Sequence, residues 1–342
     1  MKVGLLSLRW CQYGGWPTYK RHMLHALEAT KGIDVHSLSV DKPAGASKWV
    51  DVLESADQLD EYDVVHLDNA VCEKTPDPIL ETLRSLSREH RLVVTIHDPT
   101  EIRKKKTRRW LSLISRTALF VFIRDSVARA DCSQFLQHRQ VVLHPYKRES
   151  DGILSGKRVV ATSRVDFDKN TKLILDADCG VEIHTGYVNH IYDYEELGGI
   201  RKMDCYKGSF KTPADVYPGA CALVDMSTIH MDGGGTQYTF LEAMDYGLTL
   251  ICNAGWATGS KDELKPGDHY IAVSTAKELR QAVRRARKDW EDTDNGPRYE
   301  SILHAHSHRR IGKTYKSLFQ SWQDGSASVQ DASGNTGINR WL

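Results

Sequence analysis

Short apolar runs alternate with helical patterns almost from the first residue. Lys2 to Leu8 has strand character, and Thr18 to Ala29 carries Met23, Leu24 and Leu27 at helical spacing. Tyr62 to Leu67 (YDVVHL), Arg91 to Ile96 (RLVVTI), Ala118 to Ile123 and Val141 to Leu143 predict further strands. A polar stretch at Lys147 to Gly156 interrupts the pattern, and there we place a linker. The alternation then restarts. Strands are predicted at Arg158 to Thr162, Val181 to Thr185, Cys221 to Asp225 and Thr249 to Asn253. Helices are predicted at Lys172 to Ala177, Thr239 to Tyr246 and Ala276 to Trp290. In the last of these Leu279, Ala282, Val283, Ala286 and Trp290 share a face, which leaves Arg280, Arg284, Arg287 and Lys288 solvated. One long helix, Tyr299 to Trp322, follows the Asn295-Gly296-Pro297 break, and the polar tail from Gln323 is expected to be mobile.

Apolar strands alternating with helices predict an α/β protein with parallel sheets covered on both faces. The 342 residues suit two such domains better than one core. Two doubly wound halves would face each other across a cleft, each with its ligand crevice at the strand C-termini. With 40% apolar and 27% charged residues, a mostly disordered chain is excluded. Lys+Arg 46 against Asp+Glu 45 leaves a weak global field, so any attraction to a polyanion must come from a local patch. No run approaches the ~18 apolar residues of a membrane span, and no signal-peptide pattern opens the chain. The seven cysteines are dispersed without a CxxC, as expected of reduced thiols in the cytoplasm.

Two segments carry chemistry. In Asp232 to Gly247 (DGGGTQYTFLEAMDYG), three glycines precede a helix, so backbone amides and a helix N-terminus can approach an anion. Glu242 lies one turn inside, where a carboxylate can accept sugar hydroxyls; a Gly-rich turn with a solvated glutamate fits the same spacing. In Thr162 to Lys169 (TSRVDFDK), Arg164 and Lys169 directly follow a strand, where a doubly wound sheet places phosphates. Asp166-Phe167-Asp168 spells a metal-diphosphate motif. Two cations in one loop can neutralise a diphosphate without Mg²⁺, so we expect the acids to position them and expect no metal.

Together these segments resemble the nucleotide-sugar glycosyltransferases of the two-domain GT-B fold, and family four of that class in particular. The resemblance spans nearly the whole chain. It includes the Gly14-Gly15-Trp16-Pro17 loop after the first strand, the strand ending in His97-Asp98, and the Leu143-His144-Pro145 exit from the first domain. It continues through Arg164, Asp166 and Lys169, the Gly208 turn, Leu241-Glu242-Ala243-Met244, and a last helix that crosses back to brace the first domain. The domains so implied are 1–146 on the acceptor side, 157–297 for the nucleotide sugar, 298–322 for the crossover helix, and a tail at 323–342. The resemblance implies a donor site built from Gly14, Gly15, Gly208, Asp232, Gly233, Gly234, Gly235, Thr236 and Glu242, with Glu242 on the nucleotide ribose and Gly208 near the base. It also implies a retaining reaction without a cofactor other than the nucleotide-sugar substrate. His97, Asp98, Arg164 and Lys169 are the catalytic candidates. His97 would bind the donor sugar or its diphosphate, and Asp98 would orient His97 or take the acceptor proton. The family's second glutamate, eight residues before the ribose carboxylate, is replaced here by Gly234. Asp232, His230 or the glycine amides would have to take its place.

Just past His97-Asp98, the stretch Glu101 to Trp110 (EIRKKKTRRW) packs six cations into ten residues: Arg103, Lys104, Lys105, Lys106, Arg108 and Arg109. That is a footprint for a polyanion. DNA fits it, and so does an anionic membrane surface; a solvated basic helix has the same composition. The resemblance extends to phage DNA α-glucosyltransferases, which favours a hydroxymethylated base in DNA as the acceptor. Such a base would have to be flipped from its stack. Lipid, polysaccharide and small-molecule acceptors stay open, as does a nucleic-acid-binding module on an inactive transferase fold. No obligate protein partner is implied.

Overall fold

The computed structural model describes residues 1–9, 15–41, 50–150, 156–228, 236–256, 264–291 and 295–325, with only the backbone at 15 and 16. Gly14, His230, Asp232, Gly233, Gly234, Gly235 and nearly all of the tail lie outside the described residues. The chain divides into two compact units, one of residues 1–147 and 305 onwards, the other of residues 148–304.

In chain order the first unit holds β1 (Lys2–Ser7), α1 (Gly15–Glu28), β2 (Asp34–Ser39), β3 (Asp51–Val52), β4 (Val64–Asn69), α2 (Asp77–Arg88) and β5 (Leu92–Ile96). It continues with α3 (Pro99–Arg103), α4 (Lys105–Ile114), β6 (Leu119–Phe122), α5 (Asp125–Arg129) and β7 (His138–Val141). The seven strands form one parallel sheet in the order β3-β2-β1-β4-β5-β6-β7. All six residues of β4 and all five of β5 are buried, as strands with helices on both faces require. β2 was not anticipated from the sequence. Its DVHSLS is polar and only its second half is buried, so it reads as a loop.

The second unit holds β8 (Arg158–Ala161), α6 (Thr171–Ala177), β9 (Val181–His184), α7 (His190–Tyr192), β10 (Tyr206–Gly208), β11 (Ala220–Asp225), α8 (Tyr238–Asp245), β12 (Thr249–Asn253), β13 (Tyr270–Val273), α9 (Ala276–Asp289) and α10 (Gly296–Ala305). Its six parallel strands run β10-β9-β8-β11-β12-β13. The apolar stripe of α9 is buried at Leu279, Ala282, Val283 and Ala286. Two arginines expected in solvent instead bind the carbonyls at the end of α6. Arg280 donates to Ala177 at 2.7 Å, and Arg287 donates to Cys179 at 2.8 Å and Gly180 at 2.7 Å. A helix C-terminus leaves those acceptors open, and a long cation satisfies them.

The long last helix of the sequence reading is two helices, α10 and α11 (His308–Gln323). Tyr146 breaks it: its N–H donates to His306 O at 2.7 Å, and its carbonyl accepts His308 N–H at 2.9 Å. α11 lies in the first unit against α1. Gly312 makes that approach possible, because a Cβ there would collide with the Ala26 carbonyl. Tyr315 O–H meets Tyr19 O–H at 3.0 Å across the same contact. Among the described residues, no helix is long and apolar enough to cross a membrane.

Candidate functional site

In each sheet one strand is flanked by neighbours that wind in opposite directions, β1 between β2 and β4, and β8 between β9 and β11. Ligands of doubly wound folds bind outside the strand C-termini at this switch. In the second unit the chain leaving β8 carries Thr162, Ser163 and Arg164. Ser163 Oγ donates to Asp225 Oδ2 at 2.5 Å, and Asp225 Oδ1 accepts the Ser227 N–H at 2.9 Å. Lys169 Nζ donates to Ser227 Oγ at 2.9 Å. The buried Asp225 thus fixes the serine that holds the lysine.

Arg164 lies between the two acids of its loop, 2.8 Å from Asp168 and 3.4 Å from Asp166. Asp166 also accepts Phe167 N–H and Asn189 Nδ2–H, both at 2.9 Å, while Thr228 N–H closes on the Asp168 carbonyl at 2.8 Å. The Asp166 carboxylate is thus engaged by Arg164, Phe167 and Asn189, and that of Asp168 by Arg164 and Lys169. Arg164 is 51% exposed and Lys169 12%, so the arginine faces solvent and the lysine sits in the wall.

The same strand end leads to Glu242. Thr162 Oγ1 and Tyr217 O–H lie 3.1 Å apart, and Tyr217 O–H reaches Glu242 Oε2 at 3.4 Å. Burial, with the Glu242 charge beside it, pushes the Tyr217 phenol well above its usual range, so it remains a donor. Glu242 is buried on α8, and a carboxylate has further lone pairs for ligand hydroxyls. Thr236 is buried just before that helix. Gly208 ends the edge strand β10 at φ +84°, a left-handed backbone with open space around it. Sequence reasoning missed Tyr217, Asp225, Ser227 and Ser163. A tyrosine in a Tyr-Pro-Gly turn carries no local signal of what its hydroxyl meets.

In the first unit, Gly15 is the first residue of α1. His97 follows β5, buried, with its ring 4.5 Å edge-on from Tyr19. Its Nε2 lies 2.5 Å from the Asp68 carbonyl oxygen. A carbonyl can only accept, so Nε2 carries the hydrogen and Nδ1 is left as an acceptor. Burial lowers the His97 pKa to about 4, which keeps the ring neutral. A neutral ring with Nδ1 bare suits a sugar hydroxyl and not a phosphate oxygen. Among the described residues, Asp98 makes no hydrogen bond to the His97 ring. Its carboxylate caps α3, accepting Thr100 N–H at 2.7 Å.

The cation cluster runs from the end of α3 into α4. Arg103, Lys105, Arg108 and Arg109 are exposed, while Lys104 and Lys106 are half-buried. Lys106 is committed locally, to the Thr75 carbonyl at 2.8 Å and Asp77 at 3.4 Å. Arg108 stacks over Phe135 at 5.3 Å. Trp110, which closed the footprint in the sequence, is in the core and donates to Leu80 O at 3.2 Å. It offers no stacking surface.

No family model matches the sequence, and no curated protein matches it. Solved structures do resemble it. The chain superposes on an α-glucosyltransferase in complex with UDP and a DNA 13-mer containing an HMU base with a TM-score of 0.72 at 11% identity, covering 94% of this chain and 99% of that one. The Anabaena protein HepE, in complex with UDP and glucose, gives 0.66 at 17% identity, covering 94% and 100%. A glycosyltransferase from Rickettsia africae gives 0.66 at 11% identity, covering 94% and 98%. In fold, the chain is a GT-B protein, with two Rossmann-like units of seven and six parallel strands.

Proposed function

We propose that the chain is a glycosyltransferase that moves a sugar from a nucleotide-sugar donor to a hydroxyl acceptor, with UDP-glucose as the first donor to test. One observation carries this reading: two cations and a buried carboxylate converge on the end of β8. Thr162 leads through Tyr217 to Glu242, Ser163 leads to Asp225, and Arg164 and Lys169 follow in the same loop. A carboxylate for ribose hydroxyls and cations for a diphosphate are what a nucleoside diphosphate requires.

In this reading the bond from the anomeric carbon to the diphosphate oxygen breaks first. Both bonding electrons leave with the diphosphate, whose growing charge Lys169 and Arg164 stabilise. His97 accepts a sugar hydroxyl through Nδ1. The acceptor hydroxyl then attacks from the face the diphosphate leaves, so configuration is retained, and its proton passes to the departing phosphate. The acceptor we favour is a hydroxymethylated base in DNA, from the basic face of α3 and α4. Both the DNA-bound neighbour and HepE support a UDP-sugar donor.

The test is to incubate the protein with UDP-sugars, with and without an oligonucleotide carrying a hydroxymethylated pyrimidine. UDP release and an α-linked sugar on the oligonucleotide are expected, with activity surviving EDTA. Absence of UDP release from any donor, combined with oligonucleotide binding, would favour the inactive binding module that the glycine at 234 leaves open. UDP release that ignores the oligonucleotide would move the acceptor to a lipid, glycan or small molecule.

A further inference from the structure

β4 carries a bulge at the switch point of the first unit. Leu6 pairs with Leu67 and Ser7 with Asn69, so the β1–β4 ladder passes over Asp68. The β4–β5 pairing ends at Leu67 opposite Val94 and does not include it either. A bulge frees a residue's backbone groups from the ladder and re-aims its side chain. Here the freed carbonyl takes the His97 Nε2–H. The carboxylate turns to Ser7, whose Oγ donates to Oδ2 at 2.5 Å.

Lys20, from the second turn of α1, completes the group. Its Nζ donates to Ser7 Oγ at 2.8 Å and to the Leu38 carbonyl, and stands 3.7 Å from Asp68 Oδ2. The two side chains are 1% and 3% exposed, which makes this a fully buried ion-pair arrangement. Burial of this kind is costly, and Asp68 Oδ1 has no hydrogen-bond partner among the described residues. A hydrophobic pair would serve stability as well or better. What a hydrophobic pair could not do is hold the bulged residue in one orientation.

We propose that Lys20, Ser7 and Asp68 form a buried clamp that fixes the bulged Asp68 carbonyl, and through it the tautomer and ring orientation of His97. Lys20 and Asp68 are then positioning residues. The clamp stands on its own geometry, while its consequence for turnover rests on the reading of His97 as a donor-sugar contact.

The test uses the full chain labelled with ¹⁵N-histidine, with His97→Gln to assign the ring. Long-range ¹H–¹⁵N spectra should show wild-type His97 as the single Nε2–H tautomer. In Lys20→Met the His97 signals should move towards a tautomer mixture. UDP-sugar turnover should fall about a hundredfold, the scale of a misplaced reacting group, with KM within about twofold, as for a group that acts in the transition state. Ser7→Ala, a gentler change, should move both readouts the same way by less, and it decides the matter if Lys20→Met does not fold. An unchanged tautomer in the folded variants overturns the clamp. A shifted tautomer in the variants, with a wild-type chain that releases no UDP from any donor, upholds the clamp and overturns the proposed function instead.

Discussion

The two switch points share one device and use it differently. In each, a serine from one strand end donates to a buried aspartate from the neighbouring strand: Ser7 to Asp68 and Ser163 to Asp225, both at 2.5 Å. The cations near them part ways. Lys20 is 1% exposed and meets groups of its own unit's interior, whereas Lys169, tied to Asp225 through Ser227, is 12% exposed and Arg164 in the same loop 51%. A buried cation organises its neighbours, while an exposed one attracts an anion from solution. Equivalent places in two similar folds therefore hold different chemistry. In the reading proposed above, the first unit uses its charge to position a neutral histidine, and the second presents charge to a ligand.

The largest expected consequence is an acid sensitivity greater in the first unit than in the second. Burial, the leading cause in each case, pulls His22 and His66 down to about 3 and His97 to about 4, from 6.5. His144 is likewise held well below 6.5. Between those values the unfolded chain binds more protons, so stability is full above about pH 6.5 and is lost as pH falls towards 4. Burial raises the Asp68 and Glu101 carboxyls, which act in the opposite sense, two groups against these four and His308, which burial also lowers in the same unit. In the second unit the lowered histidines are His184 and His269, both only half-buried. Hydrogen exchange, corrected for its intrinsic pH dependence, should show β4 and β5 losing protection at about pH 5 before β11 and β12. Equal loss in both sheets would break the comparison.

Next in size is the donor loop. Lys169→Ala should lower turnover about a hundredfold or more, with little change in melting temperature. Arg164→Ala should cost less, about tenfold, because Asp166 and Asp168 already hold that guanidinium. A larger loss at Arg164 would reverse which cation carries the phosphate. Full loss of activity with EDTA, restored by Mg²⁺, would return Asp166 and Asp168 to a metal.

The contrast between the units also marks what the sequence made legible. Buried strands announce themselves by short β-branched, mostly apolar runs such as VVHL and LVVTI, and Arg164, Lys169 and Glu242 stand in recognisable local patterns. β2 and the two-residue β3 were hidden because their side chains are polar or exposed, and the sheet alone makes them strands. Asp68, Lys20 and Tyr217 were equally hidden. Their roles depend on a bulge between strands 61 residues apart and on hydroxyl contacts across folds of the chain, which no local window contains. Trp110 shows the same limit: it ends the basic run in the sequence, and only the helix shows that it turns into the core.

Ribose recognition should respond more modestly. Glu242→Gln keeps shape and removes charge, so nucleotide affinity should weaken by about 1.5–3 kcal/mol. Tyr217→Phe should weaken it by only about 0.5–1.5 kcal/mol, since it loosens the carboxylate without removing it. Titration calorimetry with UDP checks both. Equal losses would mean that Tyr217 touches the nucleotide itself.

The smallest effect concerns the first unit's outward-facing charge, and it sharpens the comparison from the acceptor side. Lys20 is sealed in, so the charge this unit offers a polyanion lies at its surface, where the six cations between Arg103 and Arg109 on α3 and α4 are the densest run. There the cations are unequal. Lys105 and Arg109 are exposed and one helical turn apart, whereas Lys106 is held by Thr75 and Asp77. If DNA binds here, each phosphate neutralised steepens the salt dependence of affinity by about 0.9. Lys105→Ala with Arg109→Ala should flatten the slope by about two, one for each phosphate that is no longer neutralised. Lys106→Ala should flatten it by less, because its charge is already partly offset by Asp77. Donor hydrolysis, which uses the second unit's loop and His97, should survive all three changes. Partition onto anionic vesicles without affinity for oligonucleotides would give the same residues a membrane surface instead. A slope unchanged by every variant would leave α4 a solvated face.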